Sequence, residues 1–170
     1  MSDGIAEFLA TWPKARARTT RILDHLPGHL LEWTWAPGRF TFGDLLRHLA
    51  GSERFLYAEN VAGRPSRYPG HGPELGSGLD GVRAYLTRCH DEAMAIFAGL
   101  DDAALQRPQP TPAGKSVRPA AWLRAMAEHE AHHRGQLHLM ASMCGLALPP
   151  LFGLTEEELR ARSQAHGPLW

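Results

Sequence analysis

Between Pro119 and Gly145 no proline interrupts the chain, and apolar residues recur with helical spacing. Pro119 stands where a helix start tolerates proline, and Gly145 where a helix commonly ends. Projected at about 100° per residue from His129, the residues Trp122, Met126, Leu137, Met140 and Cys144 fall between roughly 20° and 80°. They define one core stripe. His133 falls at about 40°, inside the stripe, and His129 at its edge. His132, at about −60°, lies off the stripe, and His138, at about 180°, is predicted to face water. Two imidazoles one turn apart therefore point into whatever this helix packs against. Burying them without partners costs free energy, and burying them protonated costs more. An i, i+4 histidine pair is also a bidentate clamp for a metal ion, which would resolve both problems.

The rest of the chain reads as further helices. Ile5, Phe8, Leu9, Trp12, Ile22, Leu23 and Leu26 predict a first helix from about Asp3 to Leu26, with a kink allowed at Pro13. The second opens at Thr41, with Asp44 completing an approximate capping box, and runs on Leu45, Leu49, Phe55 and Leu56 to near Gly63. Residues 63–78, GRPSRYPGHGPELGSG, are too rich in Gly and Pro to be regular. A loop of this length is either functional or a plain connection. A third helix is predicted over Leu79–Leu100, with Val82, Tyr85, Leu86, Cys89, Ile96 and Phe97 inward. Pro108, Pro110 and Pro112 break the segment after it. Pro149 and Pro150 turn the chain, and Thr155 with Glu158 caps a short last helix. No strand-like alternation and no internal repeat is evident. The expected fold is all-α: a four-helix bundle with a short additional C-terminal helix, one domain over residues 1–170.

The second helix supplies a third imidazole. Leu45, Ser52 and Leu56 lie roughly 40° to 80° from His48, so His48 borders that helix's apolar stripe. His48, His129 and His133 would make three protein ligands and leave positions open for water or substrate. Asp44, four residues before His48, is placed to orient its ring from outside. Glu130, at the core edge of its helix, is either an outer-sphere residue or a partner for Arg134. Glu59, about 20° from His48, reads as a surface or capping residue. His25, His29, His71, His90, His138 and His166 read as ordinary polar histidines.

Charge and cysteines narrow the class. Lys plus Arg equals Asp plus Glu at 18 each, so nothing suggests bulk attraction to nucleic acid or an anionic membrane. Arg16, Arg18 and Arg21 read as the solvated face of a helix. The two cysteines, Cys89 and Cys144, are far apart without a C-x-x-C, which fits a reducing cytoplasm. The N-terminal residues lack a secretory pattern, and no run of roughly 18 apolar residues exists to span a membrane.

Residues 129–133 also satisfy H-E-x-x-H, in which two histidines bind zinc and Glu130 would be the general base of a protease. The longer metzincin pattern is absent, since Gln136 and Leu139 stand where it needs Gly and His. A glutamate ligand would have to come from Glu156, Glu157 or Glu158, across Pro149-Pro150.

The segment HEAHHRGQLHLM, residues 129–140, resembles the DinB-like family of metal-binding four-helix bundles. Its H-x-x-x-H-R-G-Q hallmark is matched by His129, His133, Arg134, Gly135 and Gln136. TFGDLLRHLAGSERF, residues 41–55, is similar to the family's second-helix pattern, with His48 at the ligand position. Trp33, Trp35 and residues 149–158 extend the resemblance to nearly the whole chain. It implies a zinc or nickel ion on the three histidines, a low-molecular-weight thiol such as bacillithiol or mycothiol as cosubstrate, an electrophilic small-molecule substrate, and a homodimer. His132 is an imidazole beyond the family pattern, expected at the surface or outside the ligand shell. Arg134 would either position an anionic group or pair with Glu130. Thiol transfer is thus the leading expectation. A hydrolase using metal-activated water and a non-catalytic, stress-associated metal-binding bundle are the alternatives.

Overall fold

The computed structural model describes residues 4–164, so the predicted start at Asp3 and His166 lie outside the described residues. Helix α1 (Ile5–Thr20) passes through Pro13 without ending and tightens into a 3-10 turn, Arg21–Asp24, rather than continuing to Leu26. Ile22 and Leu23 are buried from that turn. Helix α2 (Phe42–Ser52) begins with the predicted capping box. The Thr41 hydroxyl accepts from the Asp44 amide (2.9 Å), and the Asp44 carboxylate accepts from the Thr41 amide (3.0 Å). The rod then widens into a π-helix, Glu53–Ala58, before a last α turn, Glu59–Val61. Helices α3 (Gly78–Ala98) and α5 (Pro119–Met143) complete the bundle.

Each of the four long helices packs mainly on two others: α1 on α3 and α5, and α2 on the same two. The consecutive helices α1 and α2 are therefore diagonal across the bundle. Between α3 and α5 the chain forms a short helix, α4 (Asp102–Gln106), capped by Asp101, whose carboxylate accepts from the Ala104 amide. An antiparallel hairpin follows, β1 (Gln109–Pro110) with β2 (Ser116–Val117). The expectation of no strand is corrected by these two-residue strands, which are too short to show alternation. Helix α6 (Glu156–Gln164) is exposed and starts with the predicted Thr155–Glu158 box. No helix among the described residues is long and apolar enough to cross a membrane.

The core falls into two apolar clusters along the bundle axis. One gathers Leu45, Leu49, Leu86 and Leu137, the other Trp12, Tyr57, Phe97 and Met126. Polar residues form a layer in the interior as well: Arg16 and Thr19, Ser52 and Glu53, and Glu130 are buried, and the half-buried His90 meets Glu53. Arg16 is buried and lies 2.6 Å from the Glu53 carboxylate and 3.1 Å from that of Glu130. Trp12 and His90 also meet Glu53, at 2.5 and 2.8 Å. The reading of Arg16 as a solvated residue is thus overturned. It sits one turn after Trp12 on the same face of α1, and that spacing places it inside.

Residues 63–78 fold back onto α2. Arg47, fully buried, donates to the carbonyls of His71 (2.8 Å) and Gly76 (3.1 Å), and its other nitrogens meet Glu32 and Asp44. The Phe55 carbonyl, within the π-helix, accepts from the Arg67 amide (2.8 Å) and the Ser66 hydroxyl (3.2 Å). Gly51 permits the close approach: a Cβ there would stand 3.2 Å from the Tyr85 hydroxyl and 3.4 Å from the Tyr68 ring. Replacing Arg47 by Met keeps the stem but leaves both loop carbonyls unpaired. It should cost roughly 2–3 kcal/mol in urea denaturation and speed protease cleavage within residues 63–78. Unchanged stability and cleavage would show that Arg47 does not hold the loop.

Candidate metal centre

The three histidines picked out by spacing lie together at the height of the polar layer. His48 projects from α2, and His129 and His133 from successive turns of α5. The Nε2 atoms of His48 and His129 are 2.9 Å apart, and one ring nitrogen from each of the three lies within 4.8 Å of the others. The rings stand nearly perpendicular, with centroids 4.5 to 4.9 Å apart. Two lone pairs cannot face each other at 2.9 Å, so that contact needs a proton between the nitrogens or a cation shared by them.

The outer ring nitrogens are fixed separately. His48 Nδ1 is 2.6 Å from the Tyr68 hydroxyl, and His133 Nδ1 is 2.6 Å from the Gln136 amide oxygen. The amide oxygen can only accept, so His133 carries its proton on Nδ1 and turns an unprotonated Nε2 inward. The Tyr68 oxygen can accept from His48 in the same way. Phe40 stacks on His48 and meets His133 and His71 edge-on.

Burial, reinforced by His129, His133 and His71, lowers His48 to about 3. Burial, then His133, His132 and Arg16, lowers His129 to about 4. Burial also lowers His133, against the opposing effect of its hydrogen bond to Gln136. All three are therefore neutral near pH 7, the state in which imidazole binds a metal.

Several expected neighbours are elsewhere. Asp44 is committed to the Thr41 amide and Arg47, so it does not orient His48; Tyr68 does. Sequence spacing could not find Tyr68, because an irregular loop delivers it. Gln136 could have been found, since it lies three residues after His133 on the same helix. Glu130 pairs with Arg16, not with Arg134, and burial raises its carboxyl despite that arginine. Arg134 instead donates to the Ala15 carbonyl (3.3 Å). His132 is exposed, its ring against His133. His138 is half-buried rather than facing water. Glu59 is buried among Arg54, Arg64 and Arg67. His71, read as ordinary, lies beside Phe40 at the rim of the cluster.

This donor set can hold a metal ion. One ring nitrogen from each neutral imidazole converges, and two of the rings are held by outer hydrogen bonds. Nitrogen ligands about 2.0–2.1 Å from a tetrahedral ion lie roughly 3.3 Å apart, so the cluster is close to ligand spacing. A proteolytic H-E-x-x-H centre is disfavoured, because its general base, Glu130, is taken up by Arg16. Glu156, Glu157 and Glu158 are exposed on α6 and do not join the cluster.

A family model described as the DinB superfamily matches residues 11–137. No curated protein matches the chain. Among solved structures, a DinB-like protein from Bacillus cereus is similar, with a TM-score of 0.76 and 20% identity, over 88% of this chain and 99% of that one. A DinB-like protein from Bacillus subtilis has a TM-score of 0.65 and 18% identity, over 84% and 94%. A mutant of the mycothiol-dependent maleylpyruvate isomerase has a TM-score of 0.62 and 15% identity, over 78% of this chain and 60% of that one. At these identities the likeness shows the fold.

The lowered imidazoles set an acid limit for the metal-free protein. Its unfolded form takes up protons near the ordinary value of 6.5, while folded His48 and His129 resist until about 3 and about 4. Stability should therefore fall as pH drops below about 6.5. A His48→Gln variant should show a smaller loss between about pH 7 and about pH 5 in urea denaturation. An equal loss in both proteins would place His48 in a solvated environment.

Proposed function

Because the chain belongs to the DinB superfamily, we propose that it binds one divalent metal ion, zinc or nickel, and transfers a low-molecular-weight thiol to an electrophilic small molecule. His48, His129 and His133 are the ligands in this reading. The convergence of their ring nitrogens within 4.8 Å is the observation that carries it. The dependence on mycothiol named for one structural neighbour supports a thiol cosubstrate.

When bound, the ion supplies a Lewis-acidic open position that lowers the pKa of a thiol placed there. The chain's part is to prepare that position. Tyr68 and Gln136 hold two ligand rings in one tautomer and orientation, as outer-sphere groups commonly do. Phe40 covers His48 and His133 on one side and limits water there. Arg47 keeps the loop carrying Tyr68 and His71 against α2. In the transfer the thiol's proton goes to solvent, its sulfur forms a bond to the electrophilic carbon, and the leaving group departs with the displaced electron pair.

Elemental analysis and zinc titration should give one ion per chain, lost in His48→Ala and in His133→Ala. Tyr68→Phe should retain the site but weaken zinc by about tenfold. Metal-loaded protein should consume mycothiol or bacillithiol in the presence of an alkylating electrophile, and a chelator should stop it. Ester or amide hydrolysis without any thiol would replace transfer by hydrolysis. Zinc bound without any turnover would leave a non-catalytic metal-binding bundle.

A further inference from the structure

Three of the large apolar side chains most exposed among the described residues, Trp35, Leu139 and Met143, line one cavity of about 500 Å³. Its remaining walls include Phe40 and Met140, and its volume is within the range of small-molecule pockets. Two features connect and characterise it. Phe40 is shared with the metal centre, since its ring also rests on His48 and His133, and Gln136, at the pocket edge, holds His133. Arg39 is the one charged residue in the lining, lies over the Trp35 ring at 5.3 Å, and has no carboxylate partner among the described residues.

We propose that this pocket binds an apolar, preferably aromatic, small molecule bearing a carboxylate, with the hydrocarbon against Trp35, Leu139 and Met143 and the carboxylate at Arg39. As the binding site of the electrophile it rests on the proposed transfer function; as a binding site it does not. The apolar walls exclude a highly hydrated ligand, because desolvating it would go uncompensated. The guanidinium, already set over an indole face, presents its planar fork to an anion. The ligand's other end would pass Phe40 toward the imidazoles.

The test uses the full chain, metal-free, with 2-naphthoate and its neutral analogue 2-naphthamide in isothermal titration calorimetry. Naphthoate should bind about five- to tenfold more tightly than naphthamide. Arg39→Met should erase that difference. Met143→Glu, at an exposed position, should weaken naphthoate more than naphthamide. Equal affinity for the two probes, no saturable binding, or an unchanged preference in Arg39→Met would overturn the proposal. So would a dimer in sedimentation that binds no probe and dissociates on Met143→Glu, since a second copy would then cover the pocket. Zinc titration of the same samples separates the two readings. Zinc uptake without naphthoate binding removes the pocket alone, and naphthoate binding without zinc uptake sustains the pocket and removes the metal centre.

Discussion

Arg16 carries a buried positive charge to two buried carboxylates, Glu53 on the diagonal α2 rod and Glu130 on the adjacent α5. Losing one partner of such a pair typically costs about 3–5 kcal/mol, because the charge left behind is desolvated. Burial raises Glu53, but Arg16, His90 and Trp12 outweigh it and hold that carboxyl below its ordinary value. Glu130 receives less compensation and is raised. One arginine thus serves two unequal carboxylates. Because they come from the α2 rod and α5, this layer fixes the height at which those helices face each other. His129 precedes Glu130, and His48 lies just over one turn before Glu53. The charged layer and the imidazole cluster are therefore set by the same register.

That register explains a cluster of neutral imidazoles in a half-buried place. Each ring loses hydration, and each neighbouring ring disfavours a further proton. Hydrogen bonds to Tyr68 and Gln136 recover part of the loss without charging the rings. The arrangement keeps ring nitrogens aimed inward, which is poor for stability and suited to ligation. It departs from the local rule that core positions are apolar, as functional sites often do.

Much of this was legible in the sequence, for identifiable reasons. A 25-residue helix with a single apolar stripe fixes which of its histidines face inward, so His129 and His133 could be separated from the exposed His132. The capping boxes at Thr41 and Thr155 are local hydrogen-bond patterns and were readable as such. Arg16 reads as solvated from its charge alone, whereas its spacing from Trp12 puts it inside. Tyr68 and the Arg47 clamp were invisible because an irregular loop has no period to project. The π-helix at Glu53–Ala58 carries no periodic signal distinct from that of the α-helix before it. Asp44 lies one turn before His48 but does not reach it, because capping Thr41 and pairing with Arg47 occupy its carboxylate.

The central claim is a single ion held by three imidazoles from two helices. X-ray absorption at the zinc edge of the metal-loaded full chain tests it directly. The account predicts scattering from three imidazole rings, with the rest of the shell made of non-protein light atoms. A sulfur neighbour, or only two imidazoles accompanied by carboxylate oxygen, would contradict it and move the centre away from His48, His129 and His133.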